Sequence, residues 1–292
     1  MSRLKRPGEA SRGLFSPEDC FWRVNRELLV NLAGSRALMM ELAHPLVAAG
    51  VADHSNFRSR PLGRLYRTAR AMTDITFGTT DAVHLAARHI NHCHKRVHGI
   101  LAKDAAPFRG GTQYHANEPA LKLWVLATLI DSIPLVYDLF VRPLSLVERE
   151  GYYQDSRLLA PLLGIPGDMM PATYAGFTSY MEEMLNSELL TVGDTARELV
   201  RALFAGPVIG TVTLAASVVG IGLLPERLRR AYNFPWDDRR DRVLRGVAGL
   251  SRRIRPLVPS VICISPRAWI AERFTIYDWR FKRLPTAIVN RK

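Results

Sequence analysis

Residues 120–141, ALKLWVLATLIDSIPLVYDLFV, constrain this chain more than any other stretch, because about twenty mostly apolar residues must be covered by protein or by lipid. Lys122, Asp131 and Asp138 make the segment a poor bilayer span, and Pro134 bends it. It reads as a core helix that other helices must wrap. The chain can supply that cover, since 48% of its 292 residues are hydrophobic.

The flanking segments carry helical patterning. Residues 17–31 open a helix, with Ser16 as N-cap and Pro17 in the first turn. After Gly34 and Ser35, residues 36–51 are almost wholly apolar and read as a buried helix, with a kink beside His44 where Pro45 removes a backbone donor. His44 is then either a hydrogen-bonded structural residue or the lining of a cavity. Residues 61–78 form an amphipathic helix ended by Gly78, and Thr80 and Asp81 offer caps for the next. Arg64 and Thr68 share a face of it at i, i+4, which suits a carboxylate or propionate, or else marks an exposed helix with a salt-bridging arginine. Residues 102–117 read as a loop. Further helices follow at 145–163, opened by a Ser145/Glu148 capping box, and at 177–189. No strand pattern, repeat, phosphate loop or Ser/His/Asp motif stands out, so the fold class is all-α, with roughly ten helices.

Five of the eight histidines crowd into residues 83–99, VHLAARHINHCHKRVHG. At about 100° per residue, Val83, Ala86, Ala87, Ile90, Cys93 and Val97 share one arc. His94 sits at its edge, while His89 and His92 project to the opposite side. Three readings stay open. His94 and His98, at i, i+4, could ligate zinc or iron, although a helical glutamate base and further Cys/His ligands are missing. A single buried imidazole could hold haem. The histidines could also be a solvated face plus one core residue.

The formal net charge of +13 suggests an anionic partner. Its arginines are spread through helices without interleaved aromatics, which favours an anionic membrane surface over nucleic acid. Ten of them lie between Arg227 and Arg255. The uncharged stretch 203–225 could span a bilayer, touch its surface or form a buried helix pair. Three separated cysteines suggest no disulfide framework, and the N-terminus has no signal-peptide core, so a cytoplasmic, peripherally membrane-bound protein is expected.

The words GSRALMMELAHPLVAAGVADHS, PLGRLYRTARAMTDITFGTTDAV, HKRVHG, LWVLATLIDS, PLSLVEREGYY and GLLPERLRRAYNFPW occur in that order. Their order and spacing resemble the catalytic domain shared by ER-bound oxygenases and rubber oxygenases (latex-clearing proteins). The resemblance implies a globin-like, multi-helix haem b domain that activates dioxygen. By the same resemblance His94 is the axial iron ligand, and Arg64, Thr68 and His44 lie about the cofactor. His44 and Arg67 are the candidate catalytic residues. One departure is Leu126, where many relatives carry a histidine; rubber oxygenases lack it too. The expected organisation is a flexible basic segment over 1–15, one α-helical oxygenase-like domain over 16–275 and a tail over 276–292. The expected function is haem-dependent oxidation of a small apolar substrate. The alternatives are a non-catalytic haem-binding or haem-sensing protein, or a basic membrane-associated protein without cofactor.

Overall fold

In the computed structural model, residues 13–55, 61–204 and 211–273 are described. Residues 1–12 of the basic segment expected over 1–15, the tail expected over 276–292, and residues 205–210 of the uncharged stretch lie outside them. In chain order the elements are α1 (Cys20–Asn25), a 3-10 turn (Leu28–Leu32), α2 (Ala33–Leu42), α3 (Pro45–His54), α4 (Pro61–Phe77) and α5 (Thr80–Lys95). A hairpin of β1 (His98–Ile100) and β2 (Gln113–His115) follows, then α6 (Pro119–Phe140), α7 (Leu146–Arg157), α8 (Leu159–Leu162) and α9 (Tyr174–Asn186). The chain continues through α10 (Asp194–Phe204), α11 (Thr211–Leu223), α12 (Glu226–Ala231), α13 (Asp238–Ile254), α14 (Ser260–Cys263) and α15 (Pro266–Arg273). The fold is all-α apart from the hairpin.

Helix α6 is the long apolar segment, with Pro134 inside it. It alone among the described residues is long and apolar enough to cross a membrane, and 61% of its apolar window is buried in the protein. Its cover comes from α2, α13, α7 and the 3-10 turn. The main core gathers Trp22, Met39, Met40, Ile75, Trp124, Tyr152 and Tyr153, all essentially sealed from solvent. Each such side chain contributes about 1.5–3 kcal/mol of burial. Trp124 Nε1 donates to Met40 O at 3.2 Å and the Tyr232 hydroxyl to Met39 O at 2.7 Å, which holds the last turn of α2. The first and last described helices meet as well: Trp22 Nε1 donates to Glu272 Oε1 at 2.7 Å, and Arg26 pairs with the same carboxylate.

Several boundaries differ from the sequence reading. The first helix starts at Cys20, not Pro17, because the Asp19 carboxylate accepts both the Ser16 amide (2.7 Å) and hydroxyl (2.9 Å) and closes a turn there. Order begins before residue 16, since Phe15 is buried and stacks on Phe21 at 4.4 Å. The segment 36–51 is two helices, with extended His44 between them and Pro45 opening α3, so the expected kink is a full break. Helix α5 is capped by Thr79, whose hydroxyl accepts from Ala82 N, one residue before the expected caps. Most of the loop expected over 102–117 is present, but Gln113–His115 within it pairs with His98–Ile100 as a hairpin; three-residue strands are too short to show alternation. The Ser145/Glu148 capping box is present. Of the stretch 203–225, Leu203 and Phe204 belong to α10 and Thr211–Leu223 to α11, with Leu203, Val219 and Leu224 buried.

Candidate active site

Helix α5 presents the faces expected of it. Val83 and Ala87 are buried, Ala86, Ile90 and Cys93 are half-buried, and His84, His89 and His92 are exposed. His94, in the last turn, is half-buried, with its Nδ1 closed to solvent. The helix ends at Lys95, so His98 leaves it for β1, where its exposed ring stacks on His115 at 5.7 Å. This breaks the i, i+4 pairing of His94 with His98 that a zinc reading needs. Among the described residues no three His, Cys, Asp or Glu side chains are grouped to hold a metal ion.

The position of α5 is set by contacts at its C-terminal end. Lys122, buried on α6, donates to Leu163 O at 2.9 Å and to Asn91 Oδ1 at 3.3 Å, and Asn91 donates to Leu162 O at 2.8 Å. Burial and, after it, the charge of Lys95 lower the Lys122 pKa. One turn beyond His94, Val97 lies against Gly50 of α3, where an added Cβ would come within 3.2 Å of it. Val97 O also accepts from Ala116 N at 2.8 Å, tying the helix end to the hairpin. The Tyr114 hydroxyl donates to Asp53 at 2.5 Å and closes the hairpin onto α3.

His44 is buried between α2 and α3, its ring 5.5 Å from that of Phe108. Its Nδ1 is buried with no hydrogen-bond partner among the described residues. Burial pushes its pKa down to about 4, so the ring is neutral at physiological pH. A neutral imidazole with an unsatisfied buried nitrogen is a costly arrangement unless something occupies the space beside it.

Arg67 and Thr68 are exposed on α4, whereas His44 is buried. The Arg64 side chain lies outside the described residues. On the helix, Arg64, Arg67 and Thr68 fall within about 100° of arc, one flank of α4. Leu126 is buried in the main core, so its position on α6 is filled by packed aliphatic carbon.

The family model for "ER-bound oxygenase mpaB/B'/Rubber oxygenase, catalytic domain" matches residues 22–253, from α1 to the last turn of α13. The chain belongs to this family. An uncharacterized protein of Mycobacterium bovis and one of Mycobacterium tuberculosis are each similar to it, 25% identical over 258 residues, covering 84% of this chain and 94% of theirs. No solved structure matches. The chain therefore carries an oxygenase catalytic domain; of its candidate site residues, Arg64, Arg67 and Thr68 lie on α4, His94 in the last turn of α5 and His44 between α2 and α3.

Sequence reasoning missed Lys122 with Asn91, and Phe108 with the Tyr114–Asp53 bond. Gly110-Gly111 between VHGIL and TQYH was the available signal for the hairpin that carries Phe108 and Tyr114. Haem b asks for one imidazole and apolar surroundings. The half-buried His94 offers such an imidazole at the end of α5, and His44 offers a buried nitrogen with no partner among the described residues.

Proposed function

We propose that this domain binds haem b through His94 and oxidises a small apolar substrate with dioxygen. The observation that carries the reading is the unsatisfied, neutral His44 in the core of an oxygenase-family domain that also offers His94. Haem iron, when bound, supplies dioxygen activation. His94 holds the cofactor from the end of α5, where the helix dipole favours positive charge. Arg64 and Thr68 hold a propionate through charge-assisted hydrogen bonds of about 1.5–3 kcal/mol each. Arg67, on the same flank, is the candidate catalytic cation. His44 stays neutral and orients the reactants without serving as an acid near pH 7. Peripheral contact with an anionic membrane completes the reading.

The test is the absorption spectrum of the purified protein. A Soret band that disappears in His94→Ala and persists in His98→Ala supports the assignment, and a colourless parent after haem addition overturns it. The buried Leu126 favours a second reading, a haem-binding protein without turnover. Haem-loaded protein that consumes no dioxygen with any apolar substrate, in the presence of reductant, would select that reading.

A further inference from the structure

Helix α13 fills its inner side with Leu244 and Ala248, yet a second apolar row remains in solvent. Val243, Val247, Leu250 and Ile254 fall within about 60° of one another on the helix. They are 58, 56, 57 and 44% exposed. The row starts at a cavity of about 510 Å³ between α11 and α13, floored by Val218, Ile221, Phe234, Trp236 and Val243. Past α13 the apolar exposure continues through Leu257, Val261 and Ile262.

The charges beside this row have one sign in excess. Helix α13 holds six arginines against two aspartates. Arg240 is tied to Asp237 and Arg245 to Asp241, whereas Arg239, Arg252 and Arg253 make no ion pair among the described residues. On the helix Arg239 and Arg240 flank the start of the row, each about 50° from its centre, and Arg253 flanks its end. Arg239 and Arg240 also line the cavity.

We infer that this face is the surface by which the protein lies on an anionic membrane, with the α11–α13 cavity receiving one acyl chain. The inference rests on the peripheral-membrane part of the proposed function and not on haem. An apolar row flanked by arginines matches the layered chemistry of a bilayer surface, headgroup phosphates above and acyl carbon beneath. A second copy of the chain fits less well, because two such faces would bring like charges together. Nucleic acid would satisfy the arginines and leave the row and the cavity in water. The contact also shifts from the uncharged stretch 203–225 to α13, since α11 turns part of its surface inward through Val219 and Gly220.

The experiment uses the full chain with phosphatidylglycerol-containing vesicles and with pure phosphatidylcholine vesicles, and reads flotation. The protein is expected to float with the anionic vesicles. Arg239→Gln/Arg253→Gln should lower partitioning about thirtyfold, roughly fivefold per cation. Leu250→Gln/Ile254→Gln should lower it about tenfold or more at unchanged charge. Lipids brominated on the acyl chain should quench fluorescence in the parent, and the quenched fraction should fall in Trp236→Phe. Equal flotation of the parent and both double variants overturns the surface, and undiminished quenching in Trp236→Phe overturns the acyl seat. A concentration-dependent dimer abolished by Leu250→Gln/Ile254→Gln, without flotation, would assign the face to a second copy. The Soret band of the same samples is read in parallel, so a protein that keeps its haem and never floats rejects this inference alone.

Discussion

Arg255 grips Glu27 with two parallel hydrogen bonds, Nε to Oε2 and Nη2 to Oε1, each 2.7 Å long. The side chains are 15 and 5% exposed, so the pair joins the end of α13 to the chain entering the 3-10 turn with little water present. Removing the cation strands a buried carboxylate. Arg255→Met is expected to cost about 3–5 kcal/mol in urea unfolding, with the Glu27→Leu/Arg255→Met double variant recovering most of the loss. A single-variant loss below about 1 kcal/mol would mean that water reaches Glu27.

Gly220 on α11 crosses α2 at Ser35, and an added methyl would collide with Ser35 Oγ and sit 3.0 Å from the Arg36 amide. Arg36 in turn donates to Leu223 O and Ser132 Oγ and pairs with Asp131, so the helices have little room to slide apart. Gly220→Ala should destabilise by about 1–3 kcal/mol, seen as a drop of several degrees in Tm. Adding Ser35→Gly should return part of it. An unchanged Tm would show that α11 can shift outward.

Burial, with Asp19 adding to it, raises the Asp155 carboxyl to about 6 although it accepts the Phe21 amide at 3.0 Å. The folded pKa lies above the unfolded value of about 4, so the stability this group allows is complete below pH 4 and declines as pH rises to 6. Asp155→Asn should remove that decline and exceed the parent by about 1–2 kcal/mol at pH 7, after allowance for partial solvent contact. Parallel unfolding curves for the two proteins at pH 4, 5, 6 and 7 check it. A parent more stable than the variant at pH 7 would reverse the sign.

His94→Ala should lose haem by about tenfold or more, whereas His89→Ala and His92→Ala, altered on the exposed side of α5, should bind within about twofold of the parent. Titration of apoprotein with haem, followed at the Soret band, gives the ratio. Normal binding by the His94 variant together with failure of His44→Ala would move the ligand to the α2–α3 break.

Much of the frame is legible in the residues because single side chains dictate it. Pro45 forces the break at His44, Ser145 and Glu148 start α7, and Gly78 follows the last residue of α4. The histidine faces of α5 follow from helical periodicity alone. What stayed hidden depends on tertiary partners. The start at Cys20 depends on Ser16 folding back onto the Asp19 carboxylate, a turn that delays the helix. The pairing of Lys122 with Asn91 and Leu163 spans separate helices, which no local pattern encodes. The exposed row on α13 has the same spacing as a buried one, and only the packed chain reveals that Leu244 and Ala248 already fill the inner side.

The bond from Trp22 to Glu272 joins residues 250 positions apart. At a synthesis rate of roughly 5–20 residues per second, the ribosome delivers the acceptor on the order of ten to fifty seconds after the donor. During that interval the indole of α1 has lost neither its polar hydrogen nor its apolar area to a native neighbour from α15. A chain stopped just before Glu272 would lack the carboxylate that both Trp22 and Arg26 reach, so the docking of α15 onto α1 can only follow the synthesis of nearly the whole described chain.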